Sequence, residues 1–204
     1  MTHPSSPPWS GSADLTRQRL IRSALELFTT RGYHDTTTAQ IAKKAGVAEG
    51  TIYRHFASKQ QLLNELYRAA QRWAARVVQE PARDPQGGGG TARAQLTAVA
   101  LGLVEGAAHE TAIVKLGLLE PVAGGALLDD ESRRTAREFR SALERIVAEG
   151  KAQGTVRAGA AQVWAGVWLS VISHALRRIV AEEWKPGDTS VRLVIDAGWK
   201  SISA

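Results

Sequence analysis

The chain has 204 residues and no cysteine. That excludes disulfides, thiolate nucleophiles and Cys-ligated metals. Long apolar runs are also missing, and no stretch approaches the ~18 uninterrupted residues of a membrane helix. The first fourteen residues lack the basic and hydrophobic regions of a secretory signal, so a cytoplasmic protein is expected. There is no nucleophile elbow, zinc motif or dinucleotide fingerprint. The glycines of PARDPQGGGG (81–90) are not followed by Lys-Ser or Lys-Thr, so they form no phosphate loop. No cofactor and no metal is expected, and enzyme chemistry is disfavoured. His55 has no second ligand at a usable metal spacing.

What is present is helical patterning and a basic bias placed at one end. The net charge is +6. Up to Glu80 there are 11 Lys/Arg against 6 Asp/Glu; beyond it the counts are 15 and 14. A basic N-terminal part on a nearly neutral remainder suits a nucleic-acid-binding head on a body with another task. The Ser/Pro-rich leader 1–13 reads as disordered and 81–90 as a flexible connection.

Helices are expected over about 14–31, 58–80, 91–108, 110–120, 130–153, 159–184 and 188–202. Between the first two lies TTTAQIAKKAGVAEGTIYRHFASK, residues 36–59. Thr37 with Gln40 is a capping-box pair that opens a helix near Thr38, and Ile41, Ala42 and Ala45 are its buried face. Gly46 supplies the positive φ that ends it. A second short helix, Glu49 to His55, buries Ile52 and exposes Thr51, Tyr53, Arg54 and His55. Phe56 anchors its exit, and Ser58 with Gln61 repeats the capping pattern. Two helices about a Gly turn, the second bearing polar residues, make a helix-turn-helix over 37–56 whose second member reads the major groove.

Residues 14–74 resemble the DNA-binding domain of the TetR family of bacterial transcriptional regulators. The carriers are ALELFTTRGY, the Thr run, IAKKAGV, GTIYRHF and SKQQLL. The resemblance implies an all-α chain: a three-helix DNA-binding domain, then an effector-binding and dimerisation domain over 75–204. It places Thr38, Thr51, Tyr53, His55 and Lys59 where family members meet phosphates or steady the recognition helix. Glu49, Gly50 and Arg54 fall on its variable, base-facing positions. Arg54 is the best candidate for reading a guanine through O6 and N7. Tyr53 has an alternative reading, packed beneath the domain. Arg17 and Arg19 are placed to touch the DNA backbone. Two departures stand out: Ala48 replaces a frequent capping Ser, and Ala39 offers nothing to read a base.

In the body, apolar pairs recur every four residues from Val163/Trp164 to Ile179/Val180, a stripe that wraps most of the helix. With the stripe of the last helix it suggests a four-helix homodimer interface containing Val167, Val171, Ile179, Val191, Val194, Ile195 and Trp199. Alternatively, the two helices only close the chain's own core. Glu105, His109, Trp164, Trp168 and His174 are candidate walls and polar handles for an effector pocket, with structural roles as the competing reading. The functional expectation is a repressor that leaves a pseudo-palindromic double-stranded DNA operator on binding a small-molecule effector. An architectural DNA-binding protein on the same fold is the alternative.

Overall fold

A computed structural model describes residues 15–80, 90–119 and 125–204. The leader 1–13 and all but the last residue of the connection 81–90 therefore lie outside the described residues. Among those described, regular structure is helical apart from one isolated bridge between Val156 and Ser203. None of these helices is long and apolar enough to cross a membrane.

Helix α1, Leu15–Arg31, turns Leu20, Ile21, Ala24, Leu25 and Phe28 inward. Gly32 closes it at φ 87°. Helix α2, Thr38–Ala45, starts at the expected capping box: the Gln40 N–H donates to Thr37 Oγ1 at 3.2 Å and the Thr37 N–H to Gln40 Oε1 at 2.9 Å. Gly46 ends it at φ 67°. A 3₁₀ turn, Glu49–Thr51, runs into helix α3, Ile52–His55. The tight first turn follows from Ala48, which has no side-chain oxygen to offer the free N–H groups. Helix α4, Lys59–Gln79, is capped by Ser58, which accepts from the Gln61 N–H at 3.0 Å. The return contact shifts by one residue, because Gln61 Oε1 accepts from the Ala57 N–H, not from that of Ser58.

The body comprises α5 (Ala92–His109), α6 (Thr111–Val114), α7 (Asp130–Ala152), α8 (Ala161–Val180) and α9 (Thr189–Ile202). Helix α6 widens into a π turn, Lys115–Leu119, so the expected helix over 110–120 is two structures. Helix α8 stops four residues short of the expected end. Its exit is a Schellman turn: Glu182 N–H reaches Ile179 O and Glu183 N–H reaches Arg178 O, with Glu182 at φ 58°. The stop is made without the glycine that usually announces it.

Helix α4 spans roughly 32 Å and belongs to both halves. On one side Ala70, Trp73 and Val77 lie against glycines. A Cβ at Gly102 would sit 2.7 Å from Val77 Cγ1, one at Gly106 would overlap the Trp73 ring, and one at Gly117 would overlap Ala70 Cβ. On the other, α4 carries polar side chains spaced three or four apart and grips the start of α7. Gln60 and Asn64 donate to Leu127 O at 2.9 and 2.8 Å, and Asn64 Oδ1 accepts from the Asp129 N–H at 2.9 Å. Arg68 donates to both Asp129 oxygens, at 3.2 and 2.9 Å, and to Ser132 Oγ at 3.3 Å. Slight burial alone would raise the Asp129 pKa. The Ser132 N–H and hydroxyl and the Arg68 guanidinium together outweigh it and hold the carboxyl below its ordinary value. Its contribution to stability is therefore present above the ordinary aspartate pKa and fades as pH falls through the depressed one.

Three residues expected on a dimer face are reassigned. Ile179, Val191 and Ile195 are 4%, 0% and 7% exposed in the single chain, because α8 and α9 bury them against its own core. Val167, Val171, Val194 and Trp199 are half-buried, while Val163 and Leu193 on the same two helices are exposed. The wrapping stripe of α8 thus divides into an inward part and an uncovered part.

The glycine contacts give a test of sign. Alanine is ordinarily the better helix former, yet Gly106→Ala is expected to lower stability by about 1–3 kcal/mol through overpacking against Trp73. Denaturant unfolding of the variant checks this, and an unchanged or higher stability would contradict the seam.

Candidate nucleic-acid interface

The interface begins with the turn that joins α1 to α2. The Thr36 hydroxyl is buried and donates to Gly32 O at 2.8 Å and Leu27 O at 3.3 Å. Lys59, at the start of α4, sends its ammonium into the same turn. It donates to Tyr33 O at 2.8 Å and Thr36 O at 2.7 Å, and lies 4.2 Å from the centroid of the Tyr33 ring. A cation on two carbonyls and an aromatic face is a strong local clamp. The residue expected at a phosphate thus also holds three elements of the head together.

Ile52 and Phe56 anchor the short second helix, at 2% and 1% exposure. With these two held inward, helical spacing turns Glu49, Gly50, Tyr53 and Arg54 outward, and all four are exposed. Thr38, Thr51 and His55 are half-buried at the edges of this face. Tyr53 is 56% exposed, so the reading that packs it beneath the domain does not hold. Its hydroxyl and Thr38 Oγ1 are 3.1 Å apart, tying the start of α2 to α3. Arg54 Nη2 donates to Thr51 Oγ1 at 3.4 Å. These contacts hold an aromatic hydroxyl and a guanidinium at the surface, where a duplex can meet them. Gly50 is helical, and a Cβ on it would meet nothing within 4 Å. Nothing in the fold demands glycine there.

The flanking cations differ in their engagement. Arg17 is ion-paired to Glu65 and lies 5.1 Å from the Phe56 ring centroid, so it is turned toward α4 and not outward. Arg19 stays exposed, with its guanidinium over the Gly46 turn. Lys44 pairs with Glu26 at 2.6 Å, joining α2 to α1.

The five residues expected around an effector are not brought together. Glu105 and His109 are exposed neighbours on α5, 3.8 Å apart. Trp168 is a core residue, 1% exposed, packed over Gly198. Trp164 donates from Nε1 to Ala158 O at 3.0 Å and is covered by Arg157, 5.3 Å from its ring. His174 is exposed and meets the Trp184 ring edge-on at 5.5 Å. Among the described residues, surface cavities lie where head meets body. One of about 270 Å³ is lined by Arg17, Glu65, Arg68, Arg72 and Glu131 among others. Another, of about 440 Å³, runs between α1 and the α6–π segment, past Leu25, Thr29, Thr111, Ala112 and Lys115. Gln71, which sequence reasoning passed over, is the polar residue buried deepest along α4 after Asn64, at 2% exposure.

The Lys59 clamp predicts a defect that needs no DNA to see. Lys59→Met removes the donor from two carbonyls and is expected to cost about 1–3 kcal/mol in denaturant unfolding. Unchanged stability would return the ammonium to solvent and make phosphate its main partner.

Comparison with known proteins agrees with this geometry. The family model for bacterial regulatory proteins of the tetR family matches residues 20–66, which run from α1 through the second helix into α4. The HTH-type transcriptional regulator TcmR of Streptomyces glaucescens is 37% identical over 136 residues, which is 65% of this chain and 59% of that protein. The HTH-type transcriptional regulator SrpR of Pseudomonas putida is 44% identical over 62 residues, 30% of this chain and 29% of its own. The matches thus span less than two thirds of the length of either relative. Among solved structures, a TetR family transcription regulator from Marinobacter aquaeolei VT8 superposes with a TM-score of 0.75 at 17% identity. That superposition covers 92% of this chain and 95% of the other, and it establishes the shared fold. Residues 20–66 thus form a DNA-binding domain of the type found in the TetR family of bacterial regulatory proteins.

Proposed function

We propose that the chain is a sequence-specific, dimeric DNA-binding regulator of transcription, a repressor that a small-molecule effector releases from its operator. The observation that carries this reading is the face of the second short helix. Glu49, Gly50, Tyr53 and Arg54 are exposed together on an element anchored by Ile52 and Phe56. Tyr53, with Thr38, Thr51 and His55 at the margin, meets phosphates, while Arg54 reads a guanine edge. Gly50 lets the backbone approach a base pair. Glu49 suits the positive end of the helix dipole and disfavours wrong sites by repelling phosphate. The basic surplus before residue 81 supplies the sequence-independent part of the attraction.

Dimerisation follows from the uncovered part of α8 and α9. Val163, Gly166, Val167, Ser170 and Val171 on α8 and Leu193, Val194 and Ala197 on α9 are apolar or small residues that this chain alone leaves partly open. Two copies packed there form a four-helix interface with a two-fold axis. The paired heads then meet successive major grooves about one DNA turn apart, roughly 34–36 Å. Release requires that the effector bind more tightly to the head arrangement that misses the grooves. A tenfold loss of DNA affinity needs only ~1.4 kcal/mol of such coupling. Its place of action is the cytoplasm, where the operator is.

The test is selection from a random duplex pool at near-physiological salt. The expected product is a pseudo-palindrome bound at least ~10³-fold more tightly than scrambled DNA. A flat profile would favour architectural binding. On the selected duplex, Arg54→Ala is expected to cost about 1–3 kcal/mol and to relax preference at one base position in each half-site; equal loss on all sequences would make Arg54 a phosphate contact. Gly50→Ala should leave the melting temperature unchanged or slightly higher while weakening cognate binding, since its methyl has open space in the free protein. Unaltered affinity would take Gly50 out of the groove.

The dimer has its own check. A Cβ at Gly166 would meet nothing within 4 Å in the single chain, and the residue is exposed. Gly166→Arg is therefore expected to leave a folded chain that sediments as a monomer and loses most of its operator affinity. A variant that remains a dimer would move the interface elsewhere.

A further inference from the structure

We infer that the effector is a largely apolar compound carrying a hydrogen-bond donor, and that it is read by the side-chain carbonyl oxygen of Gln71. This rests on the proposed function and adds to it the chemical class of the ligand and the atom that selects it. Gln71 lies in the middle of α4 and is 2% exposed. Its Nε2 donates to Gly117 O in the π turn at 2.7 Å. That contact settles the orientation of the amide, because turning it over would set two carbonyl oxygens against each other. Oε1 is then left facing away, and it is the single buried side-chain nitrogen or oxygen among the described residues that has no hydrogen-bond partner.

A buried carbonyl without a donor is destabilising, and a leucine or methionine would occupy the same space without it. The buried side chains next to it along both elements are apolar, and Arg177 of α8 is spent on Leu119 O at 3.1 Å. Ala70 and Ala74 on α4 and Leu116 and Leu119 on the π turn are all buried. A molecule that parts these closely packed elements beside Oε1 meets hydrocarbon and one acceptor, which selects a hydroxyl or N–H on an apolar frame. The turn itself departs from α-helical geometry, as helices often do where ligands act.

The same amide links the ligand to the head. Gln71 holds Gly117 through its nitrogen, and Gly117 has no room for a Cβ against Ala70. Two residues earlier in the turn, the Lys115 ammonium donates to Thr29 O in the last turn of α1. A compound that donates to Oε1 and wedges the turn from α4 therefore also loads the contact between the turn and the DNA-binding domain. The differential contact that release requires is thus present in one short segment.

The experiment uses the full-length protein without DNA and two donor-masked probe pairs: 4-butylphenol against 4-butylanisole, and indole against 1-methylindole. Thermal shift and calorimetry are expected to show binding of at least one parent compound, about tenfold tighter than its methylated partner. Gln71→Met is expected to reduce that preference to about twofold or less. No binding by either donor-bearing probe, or equal binding of masked and unmasked forms, overturns the proposal, the latter assigning Oε1 to an internal water. Preference retained in Gln71→Met overturns it too. If that variant does not fold, the wild-type preference within each pair decides alone. Operator selection is read without these probes, so failure here leaves the DNA-binding reading standing, and failure there leaves this one.

Discussion

The rest of the structure depends on how α4 is held. It starts inside the DNA-binding head, where Lys59 clamps the turn before α2, and it ends inside the body, where Val77 lies against Gly102. Between these ends it has little freedom. Trp73 fits only because residue 106 has no side chain, and Asn64 and Arg68 are spent on the segment that leads into α7, at Leu127 and Asp129. Sliding α4 by one helical turn would break the fit to the glycines and strand buried polar groups away from their partners. Such groups are costly when unpaired, so the polar ladder sets one register where an all-apolar seam would tolerate several. The position of Arg54 relative to the body is thereby a property of packing.

On the proposed function, regulation needs little energy from this arrangement. Protein interiors respond to strain by switching between discrete packings more readily than by bending. A ligand that prefers one packing of the π turn by ~1.4 kcal/mol changes DNA affinity tenfold, a free energy comparable to a single hydrogen bond to a charged group. The contacts joining this turn to both halves, from Gln71 and from Lys115, are of that scale. Neither half has to unfold for the other to respond.

The head was legible because its signals are local. Thr37 with Gln40 and the positive φ of Gly46 are decided within a few residues, and the structure has them as the sequence implies. The one-residue shift of the Gln61 contact is within the reach of a long side chain and leaves no trace in composition. The body was less legible because its determinants are not local. Apolar periodicity in α8 and α9 says that a residue is covered but not by what, so Ile179 and Val191 were indistinguishable from Val171 and Val194 before the two helices were placed against each other. Glu182 adopts a left-handed conformation without being glycine, which hid the end of α8. Gly102 and Gly106 are the slots that admit Val77 and Trp73, a fit between distant residues that no local pattern announces. Aromatic and ionisable residues drew attention to Trp168 and Glu105, while a neutral amide at Gln71 carried no signal at all.

If α4 carries each head rigidly and the dimer sets the distance between heads, then the gap between operator half-sites is fixed. The most direct measurement is affinity for a series of duplexes in which the selected half-sites are moved apart by one base pair at a time. The account predicts a sharp optimum near one DNA turn and a collapse toward non-specific affinity when about five base pairs turn the second half-site to the opposite face. Affinity that is indifferent to spacing would mean heads on flexible attachments, and it would contradict the role given to α4.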